Sequence, residues 1–228
     1  MKSYSDFIDR IFLQDGLLAK LTPTEPLSTA LLLRVRGADD AVVSGGKTIE
    51  HAGNFALVRG GLFYAIDALD EAHAFFQDAK GDLAAYCHGM LHRREGDFDN
   101  ARYWYRRAGV LPCFAALHRV ASEFSADMAR QANWDPYLLT GECEQARHGA
   151  EESLAQLVRL QRVEFDGVFD YCWRQSALLG RWPGRVADDQ PQCLIEQRLP
   201  RLHPVPGRRA GGMRERHDLE GVPAKSHR

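Results

Sequence analysis

Three observations predict an all-α fold. Apolar residues recur at spacings of three and four through most of positions 1–180. The two-residue alternation of strands is nearly absent. Prolines, glycines and capping residues cut the periodic stretches into helix-sized pieces. The predicted architecture is an irregular bundle of antiparallel helical hairpins over 1–180, followed by a basic tail, 181–228.

The elements follow in order. Phe7, Ile8, Ile11, Phe12 and Leu18 share one face and predict an N-terminal helix over 4–20, closed off by Pro23 and Pro26. The apolar run 27–34 reads as a short helix, and the Gly-rich stretch 35–54 as loop with at most one weak strand-like piece. Helical periodicity returns over 54–79, where Asn54 is placed to cap the start. Residues 82–109 read as two short amphipathic helices folded back on each other, and 113–132 as a helix starting after Pro112. Asp135-Pro136 predicts an N-cap and a first-turn proline for a helix over 136–147. Leu154, Leu157, Val158, Gln161, Phe165, Val168 and Cys172 form one stripe on a helix over 151–178, about 42 Å long at 1.5 Å per residue. Glu151 and Glu152 at its start and Arg174 near its end complement the helix dipole. Trp134 reads as a connector residue that plugs the bundle.

The chain changes character near Gly180. Residues 181–228 hold ten of the 29 Lys and Arg, six of the 31 Asp and Glu and six of the 10 prolines, with no sustained apolar period. Such a segment does not bury enough surface to offset its ordering entropy. It reads as a disordered appendage, as a coding artefact such as a frameshift, or as a basic arm that touches nucleic acid or an acidic partner. Its near-balanced charge argues against strong phosphate binding.

Composition narrows the function classes. A formal net charge of −2 gives no global reason to expect nucleic acid or an anionic membrane as partner. No apolar run approaches the roughly 20 residues of a membrane span. Acids interrupt the N-terminal stretch where a signal peptide is apolar, and the five cysteines are scattered without a C-x-x-C pair. A cytoplasmic protein with reduced thiols is expected. No phosphate loop, dinucleotide fingerprint or G-x-S-x-G is present.

Within 82–109, Gly89 permits close approach of the second helix, Gly96 serves the turn, Asp97 caps, Ala101 is the small residue at the crossing and Tyr105 closes over it. With Phe98 and Ala108, these spacings resemble the tetratricopeptide class. An echo lies 29 residues upstream in Gly60, Asp67, Leu69, Ala72, Phe76 and Ala79. That period is shorter than the ~34 of regular tetratricopeptide arrays, so a helical-hairpin protein is expected rather than a solenoid. A closer resemblance rests on Asp70, Glu71 and His73, on His88 to Asp97, on Asn100 to Trp104 and on Arg106-Arg107. With the block Gln161 to Trp173, they are similar to a family of bacterial and fungal proteins that share D-E-x-H, H-x-x-x-H-R-R-E-x-D and N-A-x-Y-W segments. The resemblance spans roughly residues 55–178 and supplies no activity, and the tail matches nothing expected there.

The chemistry gathers at the same hairpin. His88, His92 and Glu95 stand at i, i+4 and i+7, so one helical face presents two imidazoles and a carboxylate, a pattern that can hold a divalent metal. Asp70, Glu71 and His73 are placed to add ligands or orient them. Without metal, His73 or His88 is the candidate catalytic base. Read as structure instead, His88 and His92 are packed, hydrogen-bonded histidines and Glu95 faces solvent. Arg93, Arg94, Arg106 and Arg107 flank the turn among Tyr103, Trp104 and Tyr105. Arg93, Arg94, Arg106 and Trp104 are the candidate binding residues for a small anion; the same arginines can equally pair with nearby acids. Two functions are therefore expected. One is a binding module with a His- and Arg-lined groove for a protein or small anionic ligand. The other is a metal-dependent or acid–base enzyme centred on His73, His88, His92 and Glu95.

Overall fold

In the computed structural model, residues 4–147 and 151–176 are described, and they contain eleven helices and no strand. The all-α prediction is correct. The readings of 181–228 lie outside the described residues. Among those described, no helix is long and apolar enough to cross a membrane.

Two hairpins form the centre. The first pairs α4 (Ala52–Ala65) with α5 (Leu69–Asp78); the second pairs α6 (Asp82–Glu95) with α7 (Phe98–Ala108). They repeat one solution 29 residues apart. A Cβ on Gly60 would sit 2.5 Å from the Phe76 ring, and one on Gly89 2.7 Å from the Tyr105 ring. Both crossings therefore need a residue with no side chain. Each turn also passes through the left-handed region, at Asp67 (φ 63) and Gly96 (φ 80). Gly96 meets that requirement without a Cβ penalty. Asp67 meets it with its side chain buried against Arg94. After Gly96, the Asp97 carboxylate accepts from the Asn100 amide at 3.2 Å and starts α7.

Against these hairpins packs α11 (Glu151–Ser176), which touches α4, α8 (Phe114–Ser122) and α10 (Pro136–Ala146). Every residue from Val163 to Asp170 is buried. The stripe predicted for this helix widens there to its full circumference, as expected for a helix at the middle of a bundle. Leu154, assigned to that stripe, lies 44% exposed.

Four boundaries differ from the sequence reading. The N-terminal helix α1 covers only Asp6–Phe12; Gly16 and Leu18 take positive φ and end the pattern before residue 20. The stretch read as loop holds the end of α2 (Thr29–Gly37) and the short α3 (Asp40–Ser44), capped by Asp39. Asn54 does not cap α4: its amide donates to the Gln175 carbonyl at 3.0 Å and ties α4 to the end of α11. The helix expected over 113–132 breaks after α8, and Ser125 caps the separate α9 (Ala126–Ala129). The cap at Asp135 and the helix behind it are as predicted. Trp134 is buried, its indole donating to Tyr86 Oη at 2.8 Å.

Candidate functional site

Helix α6 runs antiparallel to α7, and its Ala85, His88, His92 and Glu95 fall on one face. Across from them α7 presents Asn100, Trp104 and Arg107, also spaced at i, i+4 and i+7. Trp104 lies over His88, with centroids 4.1 Å apart and planes 25° from parallel. The Asn100 amide is 3.2 Å from Nε2 of His92. From α5, His73 completes the group, its Nε2 2.9 Å from Nε2 of His88.

Three imidazoles thus converge from two hairpins, each with a nitrogen such that all three lie within 4.8 Å of one another. Tetrahedral zinc with bonds of about 2.0–2.1 Å sets its ligand nitrogens about 3.3–3.4 Å apart. The His73–His88 pair opens by about half an ångström to reach that spacing. The ring pairs cross at 64° and 84° where His73 meets His88 and His92.

Glu95 stands behind this group. Its carboxylate takes a 2.7 Å hydrogen bond from Nδ1 of His92 and lies 3.5 Å from Nδ1 of His73. A proton on Nδ1 of each ring leaves Nε2 as the acceptor nitrogen, the form that binds metal; it now faces the Asn100 amide on His92 and Nε2 of His88 on His73, contacts that a bound ion would replace. The His92 hydrogen bond holds the Glu95 carboxyl below the usual range, with the imidazoles adding to that effect against partial burial. His88 is held down at about 4, first by burial and then by the proximity of His92 and His73. Its ring is therefore neutral at pH 7, and its Nδ1 is buried with no hydrogen-bond partner.

Other candidates fall elsewhere. Arg93 and Arg94, expected to grip a ligand, are 1% and 0% exposed and serve the interior. Arg93 pairs with Glu164 of α11 and donates to Tyr105 Oη at 3.0 Å; Tyr86 donates to the same carboxylate at 2.7 Å. Arg94 pairs with Asp67 and donates to the Tyr64 carbonyl at 2.7 Å. With both guanidiniums bound to buried carboxylates, neither reaches a ligand. Arg106 is exposed on the side of α7 that faces Tyr137 of α10, away from the imidazoles. Trp104 is at the site. Asp70 is exposed and Glu71 pairs with Arg36, so of that trio only His73 joins the cluster. Asn100 was not among the expected site residues, although its spacing to Trp104 and Arg107 matches that of His88 to His92 and Glu95.

No family model, curated protein or solved structure matches the chain.

Proposed function

We propose that the chain is a divalent-metal enzyme whose ion is held by His73, His88 and His92 and activates a water molecule for hydrolysis or hydration. The convergence of three imidazoles from α5 and α6 carries this reading. Imidazole donors suit zinc and its transition-metal neighbours, and three protein ligands leave a position for water. Water on zinc releases its proton near pH ~7 instead of at its bulk value. Glu95 orients His92 and His73, and Trp104 fixes the plane of His88. The buried Cys87, Cys143 and Cys172 are free thiols, in keeping with a reducing compartment such as the cytoplasm.

One contact favours a second reading, acid–base catalysis without metal. His73 lies within hydrogen-bond reach of His88 and has Glu95 behind it, the arrangement of an oriented base.

Calorimetric titration of chelator-stripped protein with Zn2+ separates the two. One site per chain is expected, weakened at least tenfold by His73→Ala and by His92→Ala while circular dichroism stays unchanged. No zinc binding, or an affinity in both variants unchanged from that of the unaltered chain, overturns the metal reading and leaves the acid–base one.

A further inference from the structure

A second feature lies close to the imidazoles, on the other face of Trp104: a cleft of about 510 Å3 beside the α5–α6 turn, one helical turn before His88. Phe76 and Ala85 line its apolar side, and Trp104 separates it from His88. Two cations, Lys80 and Arg107, share the wall with a single acid, Asp82. The Arg107 guanidinium lies 5.5 Å from the Trp104 ring centroid. Both cations are exposed, and among the described residues neither is held by a carboxylate in an ion pair. This differs from Arg93 and Arg94, whose charges are fully committed inside the bundle.

We infer that this cleft binds the anionic group of a small substrate, a carboxylate or a phosphate monoester, whose planar or apolar body lies against Trp104. Two cations against one acid leave a net positive wall, and a guanidinium beside an aromatic face suits a planar acid or a phosphate. Ala85 and His88 are three residues apart on α6, so the cleft and the imidazoles are separated by about 4.5 Å along the helix. An anion seated on Lys80 and Arg107 therefore lies about one helical turn from the imidazole cluster, with the Trp104 ring between them, and the rest of its molecule reaches the imidazoles past the edge of that ring. Anchoring at a remote charged group is a general way to hold a reacting bond in place. The inference rests on the proposed metal site for the chemistry done there, but not for the grip on the anion.

Binding is measured by calorimetry on the full chain, stripped of metal and dialysed free of chelator. The probes are phenyl phosphate, benzoate and, as neutral control, benzyl alcohol. At least one anion is expected to bind, more weakly as salt rises, and the control not at all. Lys80→Gln/Arg107→Gln weakens that binding at least tenfold, whereas Arg106→Gln, which removes an exposed charge on the Tyr137 side of α7, keeps it. Preference for phenyl phosphate assigns a phosphate substrate, preference for benzoate a carboxylate. Binding of neither anion at millimolar concentration, or unchanged binding in the double variant, overturns the inference whether or not the chain holds zinc. Both exchanged residues are on the surface, so loss of binding with an unchanged dichroism spectrum reads the cleft alone.

Discussion

Helix α6 carries two sets of polar side chains, and they differ in how charge is met. On its inner side Arg93 and Arg94 each face a carboxylate from a distant part of the chain, Glu164 and Asp67. These pairs tie α6 to α11 and to the α4–α5 turn. On the other side His88, His92 and Glu95 face His73 and Asn100, and the carboxylate has imidazoles as partners instead of a guanidinium. The first set is closed: each ion has its counter-ion and no route to solvent. The second gathers a carboxylate and three imidazoles around one point, which is the composition a cation completes. Density of charged residues therefore does not locate the site. The most highly charged part of the motif, Arg93-Arg94, is scaffold.

The largest effect in breaking this contrast belongs to the closed set. Glu164→Ala leaves Arg93 buried without its carboxylate and is expected to lower stability by about 3–5 kcal/mol. Urea unfolding reads this, and zinc affinity of the folded fraction stays as it was. A loss under about 1 kcal/mol would show that α11 does not depend on the pair.

Gly89→Ala comes next. Its Cβ would lie 2.7 Å from the Tyr105 ring, and Tyr105 Oη is held by Arg93, so the ring has little freedom to yield. Overpacking of this kind costs about 1–3 kcal/mol. A thermal midpoint equal to that of the unaltered chain would contradict the close crossing.

The open set shows itself in pH dependence. In metal-free protein His88 titrates at about 4, against 6.5 for a free histidine. Between those values the unfolded chain holds a proton that the folded chain refuses, so stability rises with pH across that window. This contribution is complete above pH 6.5, shrinks as pH falls toward 4 and changes no further below. Urea midpoints at pH 7.5 and 4.5 are expected to differ more in the unaltered protein than in His88→Gln. Equal differences would mean that His88 is not held neutral.

The smallest effect sharpens the boundary of the site. Arg106→Gln removes an exposed charge that faces away from the imidazoles. Stability is expected to stay within about 0.5 kcal/mol, and zinc affinity to stay unchanged. A tenfold change in zinc affinity would place Arg106 in the site after all.

Much of the fold was legible where a local signal marks both ends of an element. Gly96 and Asp97 fix the turn between α6 and α7, and Asp135-Pro136 starts α10, because capping and left-handed turns need particular residues at particular positions. The 29-residue echo was legible for the same reason, since Gly60 and Gly89 solve the same crossing. Leu18 misled in the opposite sense. It is buried, but from a turn, so apolar periodicity continued where the helix had stopped. The all-round burial of Val163 to Asp170 was hidden because Glu164, Asp166 and Asp170 look like a solvent face; Glu164 is met by Arg93 from α6, while Asp166 and Asp170 are paired within the helix by Arg162 and Arg174.

At the site, the shared face of His88, His92 and Glu95 followed from helical spacing, but the expected ligand set did not: the group that converges is His73, His88 and His92, and Glu95 is hydrogen-bonded to Nδ1 of His92 instead of standing among those nitrogens. His73 followed from lying on the preceding helix. The fate of Arg93 and Arg94 did not follow, since their partners lie 71 and 27 residues away in sequence. Asn100 was within reach: on α7 it begins a stripe with Trp104 and Arg107 that faces the histidine stripe on α6.

X-ray absorption on zinc-loaded protein counts the imidazoles around the ion. The account predicts three histidine nitrogens and a light-atom ligand from water, falling to two nitrogens in His73→Ala. A shell with fewer than three imidazoles in the unaltered protein, or one unchanged by that substitution, would contradict it.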